Sequence, residues 1–280
     1  LRVWVAASDY SEDLRIDNSI LEQHAESYRK IRNTFRFILG NINDKHSKLD
    51  FEKLDLSKFP ELERFMLHKI FNLDTKFKKN FENYNFHTLY KDLLNFCTVD
   101  LSAFYFDIRK DCLYCDDINT PKRKYTIIFL NILLEILTKW FAPILSFTTE
   151  EIYLLIKKDK NKSIHLENFL TIPTSWCNKV LATKWNELMK IREKCNSSIE
   201  LKRATKEIGS SLEANITINL NEKMIKFTEG VDLAELCITS NAKIQKNDSD
   251  EILVKTIKAE GKKCPVCWKI SENTCERHPS

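Results

Sequence analysis

The sequence predicts a mainly α protein: an antiparallel helical bundle, then a small α+β portion, then a metal-binding tail. Three observations carry this. Glycine and proline are scarce, at four and six in 280 residues, which favours long helices over chains rich in tight turns. Apolar residues recur at helical spacing over most of the first two hundred positions. Near the end the period changes to two, and a Cys-x-x-Cys pair follows, Cys264 and Cys267.

Taken in order, Leu1 to Asp17 read as a lead-in segment, with Leu1, Val3 and Val5 alternating. Ser19 and Glu22 have the spacing of a capping box, which satisfies orphan amides at a helix start. Leu21, Tyr28, Ile31, Phe35, Ile38, Leu39 and Ile42 then recur at helical spacing, and Asn41 and Asn43 suit the end of that helix. Residues 43–59 read as a charged loop. Pro60 opens a second helix running to about Glu82, and Asn83, Tyr84 and Asn85 interrupt the pattern. A third helix spans about Phe86 to Lys110, with Leu89, Leu93, Phe96, Leu101, Phe104 and Ile108 on its core side. Thr120 and Pro121 start a fourth, ending near Trp140. Pro143 breaks it, and Thr148 with Glu151 caps a short fifth. Short connections between long helices favour an antiparallel bundle.

After Pro173 the spacing of Trp185, Leu188, Ile191, Cys195 and Ile199 is still helical. Leu212, Ala214, Ile216, Ile218 and Leu220 then alternate strictly with polar residues, the pattern of a half-buried strand. Leu236 to Ile244 and Ile252 to Ala259 are further strand candidates. The expected division is a connector at 1–18, a helical domain at 19–180, an α+β junction at 181–260 and a metal-binding tail at 261–280.

Composition bounds the function classes. A net charge of +4 permits nucleic-acid binding without demanding it, since a local basic stripe matters more than the sum. Nine cysteines are an odd count with no signal peptide before them, which fits free thiols and one metal site in a reducing, cytoplasmic setting. The first residue is not Met, so the chain is expected to be a piece of a longer protein. The most apolar stretch, Tyr125 to Leu145, contains Glu135, Lys139 and Pro143 and is expected as a buried helix rather than a membrane span. Four isolated glycines give no phosphate-binding loop. No nucleophile elbow or His-Glu-x-x-His motif is present. His24, His46, His68, His87 and His165 are scattered and read as surface or core histidines. No catalytic residue is assigned.

Two groups of residues point to binding. Arg29, Arg32 and Arg36 fall on one stripe of the first helix, where guanidinium forks suit phosphate oxygens. The plainer reading is a solvated face with Glu26 and Lys30 paired along it. Phe104, Tyr105 and Phe106 precede Arg109 and Lys110 and could stack on unpaired bases, although aromatics at this spacing are usually core. At the end of the chain Cys264 and Cys267 form the first half of a tetrahedral zinc site. Cys275 and His278 either complete it or lie in a loop before a second pair further on. Trp268 beside these ligands either packs the small module or offers a stacking surface.

The stretches LRVWVAASDYSEDLRI, SYRKIRNTFRFILGN, YNFHTLYKDLLNFCTVDLSAFYFDI, WFAPILSFTTEEIY, IGSSLEANITI and KCPVCWK together resemble bacterial-type isoleucyl-tRNA synthetases, in the family's order and over nearly the whole chain. The resemblance is to the C-terminal part of that class I synthetase family: the helical anticodon-binding domain, the junction domain and the zinc-binding tail. It implies recognition of an isoleucine-accepting tRNA by a monomer, with no membrane. The family joins isoleucine to its tRNA using ATP, and its His-x-Gly-His and Lys-Met-Ser-Lys-Ser motifs are not in this sequence. ATP and Mg2+ would therefore enter only through a catalytic domain elsewhere, and the editing domain is also outside this chain.

The resemblance raises the phosphate reading of Arg29, Arg32 and Arg36. It matches Trp268 to a family tryptophan that contacts the anticodon region, and it implies a structural Zn2+. The sequence departs from the family in two places. Val266 stands where an arginine is frequent, and Cys275 and His278 stand where the family usually has a second Cys-x-x-Cys further along. The competing expectations are the tail of a valyl, leucyl or methionyl relative, or a non-enzymatic helical adaptor whose knuckle binds protein.

Overall fold

The structure, a computed structural model, describes residues 1–42, 50–159 and 161–278. Asn43, His46 and the first part of the expected charged loop lie outside the described residues. The chain forms two compact units, one of residues 1–109 and 117–177, the other of residues 110–116 with everything from Asn178 onwards.

The first unit is a helical bundle. It holds α1 (Arg2–Ala7), α2 (Asn18–Ile42), α3 (Glu61–Glu82), α4 (Phe86–Asn95), a π-helical run (Phe96–Phe106), the start of α5 (Asp107–Cys115), α6 (Pro121–Phe141) and α7 (Ser146–Lys157). Its core follows the apolar stripes read from the sequence. On α2 the buried side chains include Ile31, Phe35, Ile38 and Ile42, and Phe35 meets Phe141 edge-on at 6.0 Å. Phe77 of α3 stacks on Trp140 at 5.4 Å. Full burial of each such side chain contributes about 1.5–3 kcal/mol. The apolar stretch of α6 is buried among these helices, and among the described residues no helix is long and apolar enough to cross a membrane.

Local details differ from the sequence reading. The lead-in is helical at α1, where only Val3 is buried. The α2 start is capped by Asp17, not by Ser19: the Asp17 carboxylate accepts the Ile20 amide at 2.7 Å and the Ser19 hydroxyl at 2.8 Å. A carboxylate is the stronger acceptor at the positive end of a helix. Helix α7 begins at Ser146, two residues before Thr148. There Glu150 rather than Glu151 makes the long-range bonds, accepting the Ile164 amide at 2.9 Å and the Ser163 hydroxyl at 3.0 Å.

The third helix widens into π geometry between Phe96 and Phe106. The five-residue step from Phe96 to Leu101 matches an i to i+5 repeat, and both residues are buried. Phe104, Tyr105 and Phe106 are all core residues, so the plainer reading of these aromatics holds. Arg109 is also buried, forming two 2.7 Å bonds to Glu63 of α3. Tyr105 and Thr126 donate to the same carboxylate at 2.9 and 3.1 Å.

The second unit is built on α8 (Lys179–Ala204) and a three-stranded sheet: β1 (Ala214–Leu220), β2 (Asn241–Lys246) and β3 (Leu253–Lys258). Between β1 and β2 lie α9 (Glu222–Thr228) and α10 (Leu233–Cys237). The central strand is β1, parallel to β2 and antiparallel to β3. Its alternation is as read: Ala214, Ile216, Ile218 and Leu220 are buried. The strand candidate at Leu236 to Ile244 is strand only in its second part. Asp232 caps a short turn that takes up Leu236 and Cys237, and the strand starts only at Asn241. A two-stranded hairpin, β4 (Lys262–Lys263) and β5 (Ile270–Ser271), forms the first part of the tail.

Candidate metal centre and basic helix face

The tail folds into a knuckle around the hairpin. Gly261 adopts φ +119°, and a β-carbon there would stand 2.2 Å from the Ser271 carbonyl oxygen, so only glycine allows the two strands to approach. Across the turn, Cys264 donates its amide to the Lys269 carbonyl at 2.9 Å and Trp268 donates to the Cys264 carbonyl at 3.0 Å. Trp268 takes a left-handed φ of 63° to close the turn. This geometry turns the sulfurs of Cys264 and Cys267 to the same side.

The knuckle brings together all four residues that the sequence marks as ligands. The Sγ atoms of Cys264, Cys267 and Cys275 and one ring nitrogen of His278 lie within 4.8 Å of one another. Cys267 and Cys275 are 3.8 Å apart, and His278 Nδ1 is 3.6 Å from Cys264 and 3.4 Å from Cys275. A tetrahedron with metal–sulfur bonds of about 2.3 Å and a metal–nitrogen bond of about 2.0 Å has sulfur–sulfur edges of about 3.8 Å and sulfur–nitrogen edges of about 3.5 Å. The donor set therefore fits a four-coordinate metal ion on its spacing as well as its chemistry.

The surroundings prepare the ligands. His278 Nε2 lies 2.8 Å from the Cys115 carbonyl. That oxygen can only accept, so Nε2 carries the proton and Nδ1 presents its lone pair to the cluster. Burial works against a Cys264 thiolate, but amides of Cys267 and Val266 directed at its sulfur outweigh it, with help from the Cys267 and His278 side chains. They bring the thiol down to about 6. Burial first, and then the thiols of Cys264 and Cys275, push Cys267 upward. A divalent cation favours the thiolate at every sulfur that it binds and removes that resistance.

Contacts that no spacing in the sequence announces hold the knuckle in place. Arg277 donates to Asp111 and to Asp116, each at 2.6 Å. The Ile270 amide donates to the Ser240 hydroxyl at 2.6 Å, and that hydroxyl donates to the Leu212 carbonyl at 2.5 Å. Arg277, sitting between two candidate ligands, was the one visible signal; its partners are more than 160 positions away.

Trp268 is 59% exposed, with Lys263 Nζ 5.5 Å from its ring centroid. An indole beside a cation on the surface is suited to stacking on a flat partner. The arginine stripe lies on α2, in the other unit. Arg29, Arg32 and Arg36 are all exposed. Arg29 pairs with Glu26 at 3.0 Å, so Glu26 takes Arg29 rather than Lys30. Arg32 and Arg36 make no ion pair among the described residues.

The described residues form a helical bundle and a small α+β unit that ends in a Cys3His cluster able to hold a metal ion. Comparison with known proteins places the chain in a family. The family model described as the anticodon-binding domain of tRNA ligase matches residues 63–218, and the chain belongs to that family. Its curated relatives include the isoleucine--tRNA ligase of Pelagibacter ubique (strain HTCC1062), 63% identical over 278 residues, which are 99% of this chain and 31% of the relative. The isoleucine--tRNA ligase of Bradyrhizobium diazoefficiens is 38% identical over 287 residues, 99% of this chain and 28% of the relative. That of Bartonella quintana is 37% identical over 283 residues, 97% and 29%. The chain thus spans under a third of the length of the curated relatives it matches.

Proposed function

We propose that this chain is the tRNA-recognition portion of an isoleucine--tRNA ligase, the C-terminal part of a protein that joins isoleucine to its tRNA at the expense of ATP. The observation that carries the reading is the 63% identity over 99% of this chain to such a ligase. The surface chemistry supports it. Arg32 and Arg36 are exposed cations with no protein partner among the described residues, suited to phosphate oxygens. Trp268 offers a stacking face beside Lys263. The Cys264, Cys267, Cys275 and His278 cluster is read as a structural Zn2+ site, closed by four protein ligands and so without an open catalytic position. ATP and Mg2+ belong to the remainder of the protein. A cytoplasmic, monomeric protein completes the reading, on the resemblance alone.

The test is retention of tRNA by the chain across a salt series. Binding should weaken steeply with salt, from release of counterions, and isoleucine-accepting tRNA should be retained better than other tRNAs. Equal retention of all tRNAs would remove the specific form of the proposal. Zinc measured in the purified protein tests the metal: about one equivalent is expected, and its loss in Cys264→Ser.

A further inference from the structure

The three-stranded sheet buries one face and leaves the other half-exposed along its central strand. The buried face, Ala214, Ile216, Ile218 and Leu220, packs towards α8, where the Ser198 hydroxyl bonds Thr256 at 2.7 Å and the Val254 carbonyl at 3.2 Å. Directly paired residues of neighbouring strands share a face. The opposite face therefore carries Asn215, Thr217 and Asn219 on β1, with Lys243 and Lys255 both in register with Thr217. Two strand spacings separate those lysines, about 10 Å. Both are exposed, and neither makes an ion pair among the described residues.

Among the described residues no strand position on this face is acidic. Asp248, Asp250 and Glu251 lie in the loop joining β2 to β3, at one end of the sheet, and Glu213, just before β1, has its carboxylate engaged by the Gly209 amide at 2.9 Å. Leu253 and Ile257, which share the face, are 48% and 51% exposed. A surface with cations on both sides of a row of amides and a hydroxyl, edged by apolar groups, is complementary to a polyanion with flat polar bases. At the other end of the face, Ser240 immediately precedes β2 and receives the Ile270 amide of the knuckle, so the face adjoins the module that bears Trp268.

We propose that this open sheet face is an RNA-contacting surface, with Lys243 and Lys255 as phosphate contacts and Asn215, Thr217 and Asn219 facing the ribose and base edges between them. The inference rests on the tRNA reading above and extends it to a surface outside the arginine stripe and the knuckle. A plainer role for the two lysines is to blunt strand addition at the sheet edges. That role needs no RNA and separates from the proposal in a binding measurement.

The experiment uses the 280-residue chain and isoleucine-accepting tRNA as the probe, with affinity measured over a salt series. Lys243→Gln/Lys255→Gln should weaken binding about tenfold at low salt and flatten the salt slope by about two. Lys243→Arg/Lys255→Arg should keep both the affinity and the slope. Each single glutamine variant should flatten the slope by about one, which keeps the test open if the double variant folds poorly by circular dichroism. A folded double variant that binds with unchanged affinity and slope overturns the proposal while leaving the tRNA reading standing. Failure of the unchanged chain to bind tRNA overturns both.

Discussion

His278 lies 2.8 Å from the carbonyl oxygen of Cys115, at the end of α5, and its neighbour Arg277 reaches Asp111 and Asp116 on the same segment. One stretch of backbone thus fixes the protonation of a candidate metal ligand and anchors the residue before it. Outer contacts of this kind typically affect metal affinity by 10–100-fold. Arg277→Ala should therefore weaken metal binding about tenfold in competition with a chromophoric chelator while the fold persists. His278→Ala should weaken it further. Unchanged affinity in Arg277→Ala would mean that the knuckle holds its ligands without help from the Arg277 ion pairs.

Glu63 and Arg109 are 0% and 3% exposed, and they bring together α3 and the first turn of α5. Removing one partner of such a pair leaves an uncompensated buried charge, at a cost of about 3–5 kcal/mol, whereas replacing both with apolar residues costs far less. Glu63→Gln should lower the urea midpoint sharply. Glu63→Leu/Arg109→Met should recover part of the loss, since the Tyr105 and Thr126 hydroxyls still lose their acceptor, and a double variant as unstable as the single one would contradict the account.

How much of this was legible in the sequence depended on range. Helices α2, α3 and α6 were readable because Ile31, Phe35 and Ile38, and their counterparts, repeat within one element. Strand β1 was readable because Ile216 and Ile218 alternate with Thr217 and Asn219. The Cys264, Cys267, Cys275 and His278 cluster was readable because thiols and an imidazole gather within fifteen positions. The π run was not, since a single five-residue step between apolar positions is indistinguishable from a lapse in the helical pattern. Neither were the Glu63–Arg109 pair and the Arg277 anchor, which depend on tertiary contact between residues far apart in sequence. At α1, alternation over five residues was too short to decide between strand and helix.

The cap of α2 is a local case in which two acceptors competed. Hydrogen bonds from the Ile20 amide and the Ser19 hydroxyl hold the Asp17 carboxyl below its ordinary value of 3.8. A depressed carboxyl stabilises the fold above its unfolded value, and that contribution is lost as the pH falls through the folded value. Asp17→Ala should speed amide exchange in the first turn of α2 at neutral pH, and the difference from the unchanged protein should fade below about pH 4. Ser19→Ala should have the smaller effect. The reverse ranking would restore the capping box.

The arginine stripe divides by what already occupies each side chain. Arg29 is engaged by Glu26 at 3.0 Å, so an RNA phosphate must compete with a carboxylate for it. Arg32 and Arg36 have no such competitor among the described residues. If the stripe contacts tRNA, Arg32→Ala and Arg36→Ala should each flatten the dependence of log affinity on log salt by about one. Arg29→Ala should flatten it less, because the unchanged protein spends part of that charge on Glu26. Glu26→Ala should raise affinity at low salt by freeing Arg29. The contrast between paired and unpaired arginines is the informative quantity. Slopes altered equally by all three substitutions would argue for a diffuse electrostatic field, and slopes altered by none would leave α2 a solvated face.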